Sequence, residues 1–166
     1  MNKIEKLEKQ AKEILEEIEK LKKEEKEESK KVSKVWKPEF DEFYYMVEAD
    51  GEVLENVWFD EDDGEKNYNM GNCFKTREEA EKVVEKLKIY TQLKRLAEEI
   101  NTEPIDWENE NQSKYHIVYN HGTNYLLKLY ITNMQSLGEI YCTNSNFLDI
   151  ALERIGEEKL LKLFKE

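Results

Sequence analysis

The sequence predicts an α+β protein. It should have a mostly antiparallel sheet with helices on one face, preceded by a long N-terminal coiled-coil helix. Three observations carry this expectation. Apolar residues near the start recur at a helical seam spacing. Aromatic and β-branched runs later alternate with turn signals, as in strands. A capped helix of i, i+3, i+4 periodicity follows the first strand pair. With 166 residues the length fits one domain plus an extension, or two small domains, and the division taken is an N-terminal helix over 1–35 and an α+β domain over 36–166.

The N-terminal elements come first. Ile4, Leu7, Ala11, Ile14, Ile18 and Leu21 are separated by alternating steps of 3 and 4. That places Ile4, Ala11 and Ile18 at the a positions of a heptad and Leu7, Ile14 and Leu21 at d. Nearly every other position is Glu, Lys or Gln, all strong helix formers. Glu25 and Glu28 then interrupt the seam, and Val32 and Val35 resume its spacing. The helix is expected over 3–33. Two apolar positions per heptad are too narrow for a helix facing a full core, so a homodimer through these six residues is the expectation. A helix packed on its own domain and a solvated helix held by Glu–Lys pairs are the alternatives.

Pro38 ends the helical pattern. Phe43–Val47 and Val53–Phe59 read as strands joined by an Asp50-Gly51 turn. An acidic loop, Asp60 to Glu65, and a short stretch at Tyr68–Met70 follow. Thr76 and Glu79 form a capping box, and the helix behind it, Arg77 to about Glu99, should bury Ala80, Val83, Val84, Leu87, Ile89 or Tyr90, Leu93, Leu96, Ala97 and Ile100. After a polar connector the plan recurs. Strands are expected at Tyr115–Tyr119, Tyr125–Ile131 and Gly138–Cys142, with a turn at Asn120-His121-Gly122 between the first two. Thr143 or Ser145 should cap a helix that ends at Gly156, and a last helix holds Leu160 to Phe164. Tyr44 and Gly51 fall on Tyr115 and Gly122 at an offset of 71, and Gly71, Phe74 and Thr76 fall on Gly138, Tyr141 and Thr143 at 67. The halves 43–100 and 113–166 thus share a strand-strand-strand-helix grammar, through duplication or convergence.

Charge narrows the function classes. The net charge is −12, and residues 38–75 alone carry 12 acids against two Lys. Such a stretch repels nucleic acid and attracts basic protein surfaces. Aromatic strand residues (Tyr44, Tyr45, Trp58, Tyr115, Tyr119, Tyr125, Tyr130) could stack bases, but that mode also needs basic neighbours. Direct nucleic-acid binding is therefore not expected. Packing under the helices is the plainer role for these rings, and exposed ones would suit a protein interface. No apolar run is long enough to span a membrane. The charged N-terminus has no signal-peptide pattern. With only Cys73 and Cys142, neither a disulfide framework nor a zinc site is expected. A reducing cytoplasm is the expected setting.

No catalytic constellation is expected. His116 and His121 are the only histidines, and no spacing relates them to a thiol and a carboxylate as in a nucleophilic triad. Phosphate-loop, dinucleotide and His-Glu-x-x-His patterns are absent from the sequence. The run from Asp60 to Glu65 misses the calcium-loop register, because Gly64 falls at position 5 and Gly71 at 12. No cofactor or metal is expected.

Several phrases carry a family resemblance. Gly71-Asn72-Cys73-Phe74-Lys75-Thr76-Arg77-Glu78-Glu79-Ala80 is one, and Gly138-Glu139-Ile140-Tyr141-Cys142-Thr143-Asn144 followed by Ile155-Gly156-Glu157 is another. With the entry Trp36-Lys37-Pro38-Glu39, residues 36–166 resemble a family of small proteins of phages and mobile elements from Firmicutes-type bacteria. The resemblance implies a small accessory role, a class that includes inhibitors of host defence such as anti-CRISPR proteins. Two functions follow as expectations. In the first, the protein is a non-enzymatic inhibitor whose acidic face imitates DNA and occupies the basic nucleic-acid-binding surface of a host protein. Its face would hold Glu48, Asp50, Glu52, Glu55, Asp60, Glu61, Asp62, Asp63 and Glu65, flanked by Glu39, Asp41 and Glu42. In the second it is a structural, assembly or adaptor protein of the element, and the acids only solubilise it.

Overall fold

A computed structural model describes residues 35–59 and 62–165, together with Lys12, Ile14, Leu15, Glu17, Ile18, Lys20 and Lys22. Those seven are helical and exposed. Ile4, Leu7, Ala11 and Leu21 lie outside the described residues, so the coiled coil expected over 3–33 is not seen. From Val35 onward the fold is α+β, with two small antiparallel sheets and four helices. The expectation of one shared sheet is corrected here. Among the described residues each half forms a two-stranded hairpin without a third strand.

The chain divides into two compact units. One holds the described residues up to Tyr44 with Asn56–Lys75, and the other holds Tyr45–Glu55 with Thr76–Glu166. The first hairpin, β1 (Phe43–Val47) and β2 (Val53–Val57), contributes its base to the first unit and its tip to the second. The turn at the tip is closed by the Gly51 N–H donating to the Glu48 carbonyl (2.9 Å) and the Glu48 N–H to the Glu52 carbonyl (2.9 Å). Gly51 sits at φ +86, the left-handed position that ends a three-residue hairpin loop and that glycine adopts without strain.

In the first unit β2 ends at Val57, two residues earlier than expected. Trp58 continues the pairing through its own backbone. Its N–H donates to the Glu42 carbonyl and its carbonyl accepts from the Asp41 N–H, both at 2.8 Å. The acidic stretch expected as a loop turns into helix α1 (Asp62–Asn69). Gly64 lets α1 approach, since a Cβ there would lie 3.2 Å from two carbons of the Trp58 ring. The Trp58 ring is 1% exposed and meets Tyr44 and Tyr68 edge-on at 5.9 and 6.3 Å. α1 closes when the Asn72 N–H donates to the Asn67 carbonyl (2.8 Å).

The second unit is built on α2 (Arg77–Ile100). Its capping box is present, with the Glu79 N–H donating to Thr76 Oγ1 (3.2 Å) and the Thr76 N–H to Glu79 Oε2 (3.3 Å). Thr76→Ala should cost about 1 kcal/mol in urea unfolding. Ala80, Val84, Ile89, Leu93, Leu96 and Ala97 are buried, but Val83 and Leu87 are 44% and 59% exposed. The buried stripe is narrower than its periodicity predicted. The second hairpin pairs β3 (Lys114–Asn120) with β4 (Tyr125–Ile131), with Ile117 opposite Lys128 and His116 opposite Leu129. The Asn120 side chain accepts from the N–H groups of Gly122 and Thr123, and the left-handed residue of the loop is Asn124 (φ 59). The core joins α2 to Ile117, Leu126, Cys142, Phe147, Ala151 and Leu160. Phe147 and Ala151 lie on α3 (Phe147–Arg154) and Leu160 on α4 (Glu157–Lys162).

Where the third strand was expected, over 138–142, a single antiparallel bridge joins Cys142 to Tyr115. The expected caps of α3 are also corrected. Its N-cap is Asn146, without a side-chain cap bond. Thr143 is committed elsewhere, because its hydroxyl accepts from the Thr102 N–H (3.0 Å) and donates to the Glu103 carbonyl (3.1 Å).

Candidate partner-binding surface

The tip of the first hairpin presents four carboxylates. Glu48, Asp50, Glu52 and Glu55 are all exposed. The tight turn sets Glu48 opposite Glu52 with Asp50 between them, while Glu55, three residues beyond Glu52, lies on the other face of the hairpin beside Tyr45. Asp50 Oδ1 accepts from the Glu52 N–H (2.9 Å), which orders the turn while leaving the charge outside. Glu55 Oε2 accepts from the Tyr45 hydroxyl (2.7 Å). That bond raises the Tyr45 pKa, with burial and the Glu55 charge adding to it, so Tyr45 remains a donor at neutral pH. Arg77 lies over the Tyr45 ring at 5.4 Å and donates to the Val53 carbonyl (2.9 Å), tying the hairpin tip to the start of α2.

The same unit adds acids that the sequence reading left out. A shallow depression of about 300 Å³ is lined by Gly51 and Val53 of the hairpin and by Glu81, Val84, Glu85 and Lys88 of α2. Glu81 and Glu85 therefore face the hairpin tip at Gly51 and Val53. Their signal was the excess of ten acids over six bases in residues 76–111. Lys88 is the local counter-charge, its Cε 3.5 Å from where a Cβ on Gly51 would lie. Glu85 also pairs with Lys162 of α4 at 2.6 Å.

The remaining candidates of the acidic stretch lie in the first unit or outside the described residues. Asp60 and Glu61 are outside them. Asp62 opens α1, and its side chain is likewise outside them. Asp63 is exposed and pairs with Lys66 (3.0 Å), and Glu65 pairs with Lys37 (2.6 Å). Among the oligomerisation candidates only Ile14 and Ile18 are described, 57% and 43% exposed. The aromatic set divides by burial. Tyr44 and Trp58 are 1% exposed, Tyr45, Tyr115 and Tyr119 are half-buried, and Tyr125 and Tyr130 are exposed.

The two cysteines are not activated as nucleophiles. Burial pushes the Cys73 thiol up to about 11, with Glu42 adding to the shift and Lys37 opposing it. Burial also raises the Cys142 pKa against a hydrogen bond from the Asn144 N–H, and its sulfur contacts the Ala97 carbonyl (3.7 Å). Both are protonated thiols at neutral pH and poor nucleophiles. Alkylation of native Cys73 should therefore rise with a midpoint near pH 11, against about 9 in denaturant. Between those values folding should lose stability as pH rises, because the unfolded thiol ionises first. A native midpoint near 9 would contradict the burial. His116 Nδ1 lies 3.1 Å from Glu139 Oε2, and its ring packs on Tyr141. Among the described residues no three His, Cys, Asp or Glu side chains are placed to hold a metal ion. No helix among them is long and apolar enough to cross a membrane.

In comparisons with known proteins, no family model matches the chain, and no curated protein and no solved structure matches it.

Proposed function

We propose that the protein is a non-enzymatic binding protein that inhibits a host nucleic-acid-processing defence complex in the bacterial cytoplasm, in the manner of an anti-CRISPR protein. Its acidic surface would occupy a basic nucleic-acid-binding groove of the target. The observation that carries this reading is the cluster of exposed Glu48, Asp50, Glu52 and Glu55, with Glu81 and Glu85 beside it in the same unit. Exposed carboxylates held on a hairpin can stand in for the charges of a phosphate backbone. The phage-type phrases at 71–80 and 138–144 support a host defence target over other basic proteins. Dimerisation through Ile4, Leu7, Ala11, Ile14, Ile18 and Leu21 would present two such surfaces and raise the effective concentration of the second contact.

The test is affinity capture from a host lysate at low and high salt, with the triple variant Asp50→Lys, Glu52→Lys, Glu55→Lys alongside. A nucleic-acid-processing protein should be retained at low salt, released at high salt and missed by the variant. Capture that ignores both salt and charge reversal would refute the reading.

A second reading, an assembly or adaptor protein of the element, is favoured by one specific feature. Tyr125, Leu127 and Leu129 on the outward face of β4 are 64%, 39% and 46% exposed, and Met134 and Leu137 beyond it are fuller still at 68% and 105%. Exposed apolar residues of this kind mark docking surfaces. Salt-independent recovery of particle or replication proteins, lost on Leu127→Glu with Leu129→Glu, would establish it.

A further inference from the structure

We propose that the first unit contains a binding cage for alkylammonium cations, which the chain fills with its own Lys37. A cation of the trimethylammonium class takes the same seat when Lys37 leaves it. The walls are two aromatic faces and one carboxylate. Lys37 Nζ lies 5.2 Å from the Trp58 ring centroid, 5.0 Å from that of Tyr68 and 2.6 Å from Glu65 Oε1. The two rings stand at 81° with centroids 6.3 Å apart, so they form a corner rather than a stack. An ammonium group in that corner meets the negative faces of both rings, the arrangement that recognises quaternary ammonium ligands.

The seat is built independently of its occupant. Trp58 is fixed by its backbone bonds to Glu42 and Asp41 and by the close approach of Gly64. Tyr68 and Glu65 share α1 at a spacing of three residues, which places them on one helix face. Lys37 comes instead from a segment, 36–39, without helix or strand. Its side chain is 41% exposed and its Nζ lies over the ring of Trp58, a residue 1% exposed, so the lysine shares in covering that ring with Tyr44, Tyr68 and Gly64. Glu65 is 44% exposed, and an ion pair at that exposure holds its partner weakly. Lys37 can therefore be displaced, and it competes through its tether rather than through strength. A trimethylammonium head keeps the charge and the ring contacts and gives up only the hydrogen bond to Glu65. The surrounding sequence, net −10 over 38–75, favours a cation at this place.

The test is a titration of the full chain and of Lys37→Ala with choline, followed by NMR of the indole N–H signals. The uncharged tert-butyl analogue of choline serves as the control. In Lys37→Ala the Trp58 signal should move saturably with choline, with a dissociation constant roughly tenfold below that of the wild type. The analogue should leave it in place. Adding Glu65→Gln should weaken binding severalfold. No saturable shift in a folded Lys37→Ala overturns the proposal, as does equal affinity of the wild type and the variant. Equal response to the uncharged analogue, or indifference to Glu65→Gln, also overturns it. If Lys37→Ala does not fold, the wild type at high choline decides. A saturable Trp58 shift supports the cage, and none refutes it. No partner protein enters this measurement, so its outcome is separate from that of the acidic-surface reading.

Discussion

Replacing Lys114 by Met should lower the stability of the protein by about 2–4 kcal/mol, the cost of leaving buried carbonyls without a donor, at about 1–3 kcal/mol each, less the desolvation cost of the ammonium that Met removes. Lys114 opens β3 and is fully buried. Its ammonium donates to the carbonyls of Asn109 (3.1 Å), Gln112 (3.1 Å) and Thr132 (2.7 Å), and it lies over the Trp107 ring at 5.3 Å. An ammonium has three donors, and here all three are used on backbone oxygens. Met keeps the volume of the stem and removes every donor, so three inward carbonyls lose their partner together. The connector at 101–113 and the chain leaving β4 would then lose the group that joins them. The loss should appear as a lower urea midpoint at unchanged slope. Lys114→Arg should recover little, because a planar fork cannot direct its protons at three oxygens gathered around one point. A Met variant within about 1 kcal/mol of the wild type would mean that water replaces the ammonium, and the account of this cluster would be wrong.

This cluster also shows where a sequence is silent. A lysine at the start of a strand reads as a solvated flank, since buried lysines are rare. Nothing in the local pattern shows that the polar connector will fold over it. Gln112 does the same work nearby, with its side chain accepting from the Asp106 N–H (2.8 Å) and donating to the Pro104 carbonyl (2.9 Å). Features held by short-range rules were legible. The capping box at Thr76, the period of α2, the turn at Gly51 and both strands of each hairpin all follow from neighbouring residues. Features that depend on what arrives from elsewhere were not. Thr143 has the residue type of a cap, yet the return of residues 101–103 beside it gives its hydroxyl better partners. The chain at 138–142 has strand composition, yet it pairs with β3 only at Tyr115 and Cys142.

The candidate surface was legible in one part. Glu48, Asp50 and Glu52 share a hairpin tip because a tight turn keeps them together, while Glu55 lies farther down β2 on the other face. The acids after Trp58 adjoin them only in sequence. The helical turn that begins at Asp62 assigns Asp63 and Glu65 to the other unit. Glu81 and Glu85 join the hairpin through the packing of Gly51 against α2, a contact between residues more than thirty positions apart.

The first unit should depend on one side chain to a comparable degree. Trp58→Ala is expected to cost about 3–5 kcal/mol, as for other buried aromatic truncations. Among the described residues of this unit, Tyr44 and Trp58 are the hydrophobic side chains in the buried core, so little else can compensate. The ring fills the space between Tyr44, Tyr68 and the Gly64 backbone, and its removal leaves a void that Gly64 cannot close. Hydrogen exchange should locate the effect. Protection should fall in α1 and at residues 41–44 well before it falls in the core strand β3, whose contacts lie in the other unit. Trp58→Phe, which retains an aromatic face toward Lys37 and Tyr68, should recover more than half of the loss. Uniform loss of protection across both units would show instead that they unfold as one cooperative body.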